Sequence, residues 1–144
     1  MYSALIIGCG NIGAGYDFNT DQILTHAKAL QHNQNFAFSI FDTNKNLTQA
    51  VSKKYNCKVM NEINVNVLSE FDCVSICTPT TTHSEYLIKA IEAKTRVIIC
   101  EKPVSDKYSD LELLRELYEK NSSKIIVNYT RRFHPSYKKL REDI

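Results

Sequence analysis

SALIIGCGNIG, residues 3–13, is the stretch on which the fold turns. Its apolar run is too short for a helix that could stand alone and ends at Gly8, as a buried strand would. Gly8, Gly10 and Gly13 then form G-x-G-x-x-G directly behind that strand. Each glycine has a mechanical reason to be there. Gly8 permits a tight turn, Gly10 lets backbone approach a diphosphate, and Gly13 allows a helix to pack close to the strand. Asn11 and Ile12 lie where the new helix would offer unpaired N–H groups to an anion. Gly8, Gly10, Asn11, Ile12 and Gly13 are therefore candidate cofactor-binding residues.

A glycine turn alone could be merely structural. The second strand, FAFSIFD (36–42), adds an acid at its end, and Asp42 is placed to accept hydrogen bonds from ribose hydroxyls. The two features together point to a dinucleotide. A carboxylate there repels a 2′-phosphate, and the nearest following cation is Lys45, so NAD is expected over NADP. The spacing is long: Asp42 follows Gly13 by 29 residues, where about 20 is usual. The surplus falls in AGYDFNTDQIL (14–24), expected to be an inserted loop or a broken first helix at the mouth of the site. Within it, Tyr16 and Asp17 either touch substrate or simply cap the loop.

Working outward, short apolar runs alternate with helical patterns. Strands are expected at 3–8, 36–42, 57–59, 73–79, 96–100 and 124–129. Helices are expected at 25–33, 46–55, 83–94 and 110–120, with a weak turn near 65–71. Thr82 with Glu85, and Ser109 with Glu112, have the spacing of capping boxes. Strands apolar on both faces, each followed by a helix, predict an α/β fold: a doubly wound, Rossmann-type parallel sheet with helices on both faces, in three layers. Such a sheet binds ligands beyond the carboxyl ends of its strands.

Two further strand ends carry chemistry. CTPTTTH (77–83) puts Thr78, Pro79, Thr80 and Thr81 along the expected groove. His83, in the first helical turn, is either a ligand contact or a hydrogen-bonded packing histidine. His26 and His32 read as ordinary helix residues. VIICEKPVS (97–105) ends a buried strand in Glu101, Lys102 and Pro103. With a cofactor across the strand ends, Glu101 would bind ribose hydroxyls and Lys102 would donate to an oxygen undergoing hydride exchange. The bland reading is an exposed Glu–Lys pair beside a turn proline, whose peptide bond could be cis.

Composition narrows the partners. The formal charge of the 144 residues is +2, and the basic pairs at 131–132 and 138–139 are too short for a nucleic-acid footprint. No apolar run reaches the roughly 18 residues of a membrane span, and no signal peptide is recognisable at the start. Five cysteines without a CxxC pair predict reduced structural thiols, no metal site and a cytoplasmic setting.

GCGNIG, THAKAL, IFD, CTPTTTH, ICEKPVS and VNYTRRFHPSY stand in an order and spacing that resembles the glucose–fructose oxidoreductase/inositol dehydrogenase (Gfo/Idh/MocA) family. The resemblance covers essentially the whole chain. It implies that residues 1–130 form an NAD(P)-binding Rossmann domain and that 131–144 begin a connection to a substrate domain absent from this chain. It further implies hydride transfer between nicotinamide and a sugar, nucleotide sugar or polyol, with Lys102 catalytic or substrate-orienting and Glu101 a cofactor contact. The full-length protein would be a homo-oligomer, and this chain alone would be inactive. The inserted loop resembles members acting on sugars of bacterial surface polysaccharides. A non-catalytic NAD-binding sensor or regulatory module is the competing reading, and Lys102 argues against it.

Overall fold

The structure, a computed structural model, describes residues 1–143. Six strands form one sheet: β1 (Tyr2–Ile7), β2 (Phe36–Phe41), β3 (Lys58–Val59), β4 (Cys73–Ile76), β5 (Val97–Glu101) and β6 (Lys124–Asn128). Every pairing is parallel, and the order across the sheet is β3-β2-β1-β4-β5-β6. The chain moves outward from β1 in one direction and then restarts beside it with β4. The β1/β4 boundary is thus the topological switch point, where connections leave to opposite faces and open a crevice.

Side-chain alternation explains how both faces are covered. Leu5 and Ile7 of β1 join Val74, Ile76, Ile98 and Cys100 on one face. There they meet α3 (Val65–Leu68), α4 (His83–Glu92) and α5 (Tyr108–Glu119) through Leu68, Leu87, Ile91 and Leu114. Ile6 and Ile40 point the other way, against α1 (His26–His32) and α2 (Lys45–Tyr55), which contribute Ala27, Val51 and Tyr55. Fully burying one such aliphatic side chain is worth roughly 1.5–3 kcal/mol. The three-layer doubly wound fold is the one the alternating pattern predicts. A last helix, α6 (Pro135–Glu142), follows β6 and has no buried residue.

Helix starts depart from expectation. Thr82 does not cap α4: its hydroxyl donates back to Thr78 Oγ1 at 2.9 Å and Pro79 O at 3.0 Å. The reason is that Thr80–Thr82 already forms a tight 3₁₀ turn, and Glu85 pairs instead with Lys89 at 2.6 Å. The second box fails because α5 begins at Tyr108, which places Ser109 inside the first turn. Asp110 takes over the fastening there, accepting from Ser84 Oγ at 2.6 Å and Ser105 Oγ at 2.9 Å. Capping is done by residues the S/T-x-x-E pattern does not flag: Thr25, Asn44 and Asn64 accept from backbone N–H groups of α1, α2 and α3.

The first helix is broken, as its length suggests. Asn11–Gly15 makes a single π-helical turn, closed by the Ala14 and Gly15 N–H groups on Gly10 O. The chain then runs irregularly to Thr25, where α1 starts. Gly8 sits at φ +99, and a Cβ there would lie 2.7 Å from the Cys77 carbonyl carbon. At Gly13 a Cβ would fall 2.0 Å from Gly8 O, whereas at Gly10 nothing lies within 4 Å. Gly13→Ala is therefore expected to cost roughly 3 kcal/mol by forcing backbone apart. Gly10→Ala, in extended backbone with open space, should stay within about 1 kcal/mol of wild type. Urea unfolding of both variants checks this; equal losses would contradict it.

Candidate functional site

Two clefts open beyond the carboxyl ends of the strands and meet over Gly10 and Cys77–Pro79. The first, about 370 Å³, is lined by Gly8, Asp42, Thr43, Thr82 and Tyr86 among others. The second, about 500 Å³, takes in Asn11, Ile12, Tyr16, Thr80, Glu101, Lys102 and Asn128. Together they form one trough across the switch point, with an acid at either end. The open space over Gly10 lies at the junction, where an extended two-part ligand would bring its middle closest to backbone.

Asp42 is fixed by the chain it closes. Its Oδ2 accepts from Cys9 N–H at 2.7 Å and its Oδ1 from Asn44 N–H at 2.8 Å. The carboxylate therefore ties the glycine turn to the end of β2. A carboxylate oxygen has a second lone pair, so both remain able to accept from a ligand hydroxyl. Tyr86, one helical turn beyond Thr82, adds an aromatic wall. That i, i+4 relation to CTPTTTH was the signal available in the sequence.

Beneath the trough lie thiols. Burial, reinforced by the neighbouring Asp42 charge, pushes Cys9 up to about 12. Burial likewise pushes Cys77 and Cys100 up to about 12. All five cysteines are free, and thiols so hard to ionise are poor nucleophiles. Among the described residues no cluster of three or more His, Cys, Asp or Glu side chains could hold a metal. No helix is long and apolar enough to cross a membrane.

The far end of the trough is built by the turn after β5. Lys102 is exposed beside the cleft, and its bond to Pro103 is cis. His83 sits in the cleft wall but is only 1% exposed. Its Nδ1 lies 2.7 Å from Pro103 O and its Nε2 2.8 Å from Thr78 O. Both nitrogens face backbone carbonyl oxygens, one in the EKP turn and one in the CTP turn, so the side chain lies between the two turns. Thr78, Pro79 and Thr80 line the trough, while Thr81 lines neither cleft.

Glu101 is 8% exposed and has company that the sequence did not announce. Its Oε1 lies 2.9 Å from His26 Nε2 and 2.6 Å from Asn128 Nδ2. His26 Nδ1 is 2.6 Å from Ser75 Oγ. So His26, expected to be an ordinary helix residue, belongs to the site. The usable signal was register: Glu101 and Asn128 are paired positions on β5 and β6, and paired parallel residues share a face.

The inserted segment serves this arrangement through Asp17. That carboxylate is fully buried; Oδ2 accepts from Leu24 N–H at 2.7 Å and Thr25 N–H at 2.8 Å, and Oδ1 from Thr25 Oγ1 at 2.8 Å. Thr25 is the N-cap of α1, so Asp17 sets where the helix carrying His26 begins. The Lys28 ammonium closes the loop on Asp17 O and Thr20 O, and Lys54 lies 4.2 Å over the Phe18 ring. Asp17 thus caps the loop, while Tyr16 remains exposed at the cleft.

Comparison with known proteins bears on this trough. Residues 2–129 match the model of an oxidoreductase family with an NAD-binding Rossmann fold, Gfo/Idh/MocA. An inositol 2-dehydrogenase of Rhizobium meliloti is 27% identical over 140 residues, covering 96% of this chain and 39% of the relative. A myo-inositol 2-dehydrogenase of Thermotoga maritima is 37% identical over 73 residues, 51% of this chain and 22% of the relative. The solved structure of UDP-N-acetylglucosamine 3-dehydrogenase from Acidithiobacillus ferrooxidans superposes with a TM-score of 0.80 at 25% identity, covering 99% of this chain and 43% of that one. This chain therefore spans well under half the length of each of these proteins.

Asp17 yields a pH prediction. Burial alone would raise its pKa, but the Leu24 and Thr25 hydrogen bonds and the Lys28 charge outweigh that and hold it below the usual carboxylate value. A lowered folded value means that ionised Asp17 stabilises the fold above its unfolded pKa of about 4. That contribution fades as pH falls through the lower folded value. Asp17→Ala should lose on the order of 3 kcal/mol at neutral pH by orphaning buried donors. Denaturant unfolding should show the gap to wild type narrowing steadily below pH 4; a gap unchanged to pH 2 would contradict it.

Proposed function

The chain belongs to the oxidoreductase family with an NAD-binding Rossmann fold, and we propose that it is the cofactor-binding part of an NAD-dependent sugar or polyol dehydrogenase. The observation that carries this reading is the single trough with Asp42 at one end and Glu101 and Lys102 at the other. The residues fit the cofactor: an acceptor pair at Asp42 for one ribose, open backbone at Gly10 for the diphosphate, and Glu101 for the second ribose. When bound, the nicotinamide supplies the hydride acceptor or donor.

The protein's own part is to hold, orient and move a proton. Asp42 accepts from hydroxyls and repels a 2′-phosphate, which supports NAD over NADP. Lys102 extends an exposed ammonium beside the cleft, suited to donate to a substrate oxygen as it gains charge, or to relay its proton. A sensor module would need the glycine turn and Asp42 but no ammonium there. The relatives' names, an inositol 2-dehydrogenase and a UDP-N-acetylglucosamine 3-dehydrogenase, support a hydroxyl on a polyol or sugar ring as the reacting group. The free thiols support a reducing, cytoplasmic setting. Because the chain covers 39% of the first of these relatives, we assign turnover to a longer protein of which residues 1–130 form the cofactor domain.

Titration calorimetry should show tighter binding of NAD(H) than of NADP(H), and Asp42→Ala should narrow the gap by weakening NAD and relieving repulsion of NADP. Equal or tighter binding of NADP(H) by wild type would overturn the ribose assignment. In the full-length protein, Lys102→Ala should cut turnover on the order of 10² to 10⁴ while sparing NAD affinity. Lys102→Arg should not rescue it, since a guanidinium does not release its proton. Near-normal turnover by Lys102→Ala would reduce EKP to a charged turn.

A further inference from the structure

Three polar side chains on three different strands meet one helix end on the same face of the sheet. Ser75 on β4, Glu101 on β5 and Asn128 on β6 all point toward α1, whose first residue is His26. For a neutral imidazole beside an ionised carboxylate, the donor and acceptor chemistry of this cluster gives one assignment. An ionised carboxylate only accepts, so the atoms facing Glu101 Oε1 must be donors: His26 Nε2–H at 2.9 Å and the Asn128 amide N–H at 2.6 Å. With the imidazole proton on Nε2, Nδ1 is an acceptor, and the Ser75 hydroxyl at 2.6 Å donates to it. The 3.4 Å approach of Asn128 Nδ2 to His26 Nε2 is then the crowding of two donors aimed at one oxygen.

Serine, histidine and an acid in sequence could also be read as a nucleophile with its base. Burial excludes that, because Ser75 is 1% exposed in mid-strand and no substrate reaches it. What the cluster controls is Glu101. Among the described residues, the hydrogen bonds to its carboxylate fall on Oε1. Among the described residues the fully buried side-chain polar atoms lacking a partner are Tyr55 Oη and Ser123 Oγ. Glu101 Oε2 is not among them, so it is not sealed from solvent, and Glu101 lines the cleft.

We propose that His26 and Asn128 are positioning residues, with Ser75 setting the His26 tautomer, and that they hold Glu101 with Oε1 engaged inside the protein and Oε2 presented to the cleft as a fixed hydroxyl acceptor. The ligand group it takes is a vicinal diol of the ribose class; that identity rests on the cofactor reading above, while the clamp itself does not. A free glutamate would spread its carboxylate over several rotamers and lose part of its binding energy in ordering them. Two charge-assisted donors on one oxygen remove that loss.

The test uses the chain with NADH and with ADP, which lacks the nicotinamide half. His26→Leu and Asn128→Leu should weaken NADH binding about ten- to a hundredfold, the range for hydrogen bonds to a charged group, and leave ADP binding unchanged. His26→Gln, whose amide can donate from nearly the same place, should recover most of the loss. Independently of any ligand, imidazole nitrogen shifts by NMR should report His26 as the Nε2–H tautomer in wild type and a mixture in Ser75→Ala. The clamp is overturned by NADH binding that is unchanged in both leucine variants, by parallel loss of NADH and ADP, or by an Nδ1–H tautomer in wild type. Failure of the cofactor reading has a different mark: wild type that binds NADH no better than ADP.

Discussion

The contact between Gly8 and Gly13 is the constraint on which the site depends. With a hydrogen in place of a side chain at Gly13, the turn after β1 folds back until it touches the Gly8 carbonyl. That closeness keeps the turn low against the end of β4, where Cys77, the next residue, also packs close to Gly8. A bulkier connection would ride over the strand ends and fill the crevice that the reversal of strand order opens. Instead the crevice stays open, and Gly10 lines both of its halves.

From that constraint the two ends of the trough are built in different ways. At the β2 end the acid is held by backbone: Asp42 reads the N–H groups of Cys9 and Asn44, so its position follows from the fold itself. At the β5 end the acid is held by side chains from α1 and β6, and α1 is in turn anchored by the inserted loop through Asp17 and Thr25. The insertion that lengthens the spacing between the glycines and Asp42 is therefore coupled to the opposite end of the site. A loop that looked like an interruption of the motif is the support of its second half.

Sheet, layers and trough were legible because they follow from short-range patterns. Short continuous apolar runs marked the strands, glycine spacing marked the turn, and parallel topology put all strand ends on one edge. Glu101 and Lys102 could be placed for the same reason. The capping boxes misled because a 3₁₀ turn at Thr80–Thr82 and an earlier start of α5 changed which residue stood at each helix end. His26 was invisible for a deeper reason. Its meaning lies in partners 49, 75 and 102 residues away, and local periodicity shows only that it opens a helix. Only the register of β5 with β6, read together with the strand order, brings those distances together.

The central claim is that one extended ligand lies across the strand ends, with its two halves read by Asp42 and by Glu101. Amide chemical-shift mapping of the ¹⁵N-labelled chain with AMP, and then with NADH, tests this most directly. AMP should perturb the glycine turn, Asp42–Thr43 and Tyr86, leaving Glu101, Lys102 and Asn128 in place. NADH should perturb both sets at once. Perturbations gathered outside the trough, or an AMP footprint centred on Lys102, would contradict the account.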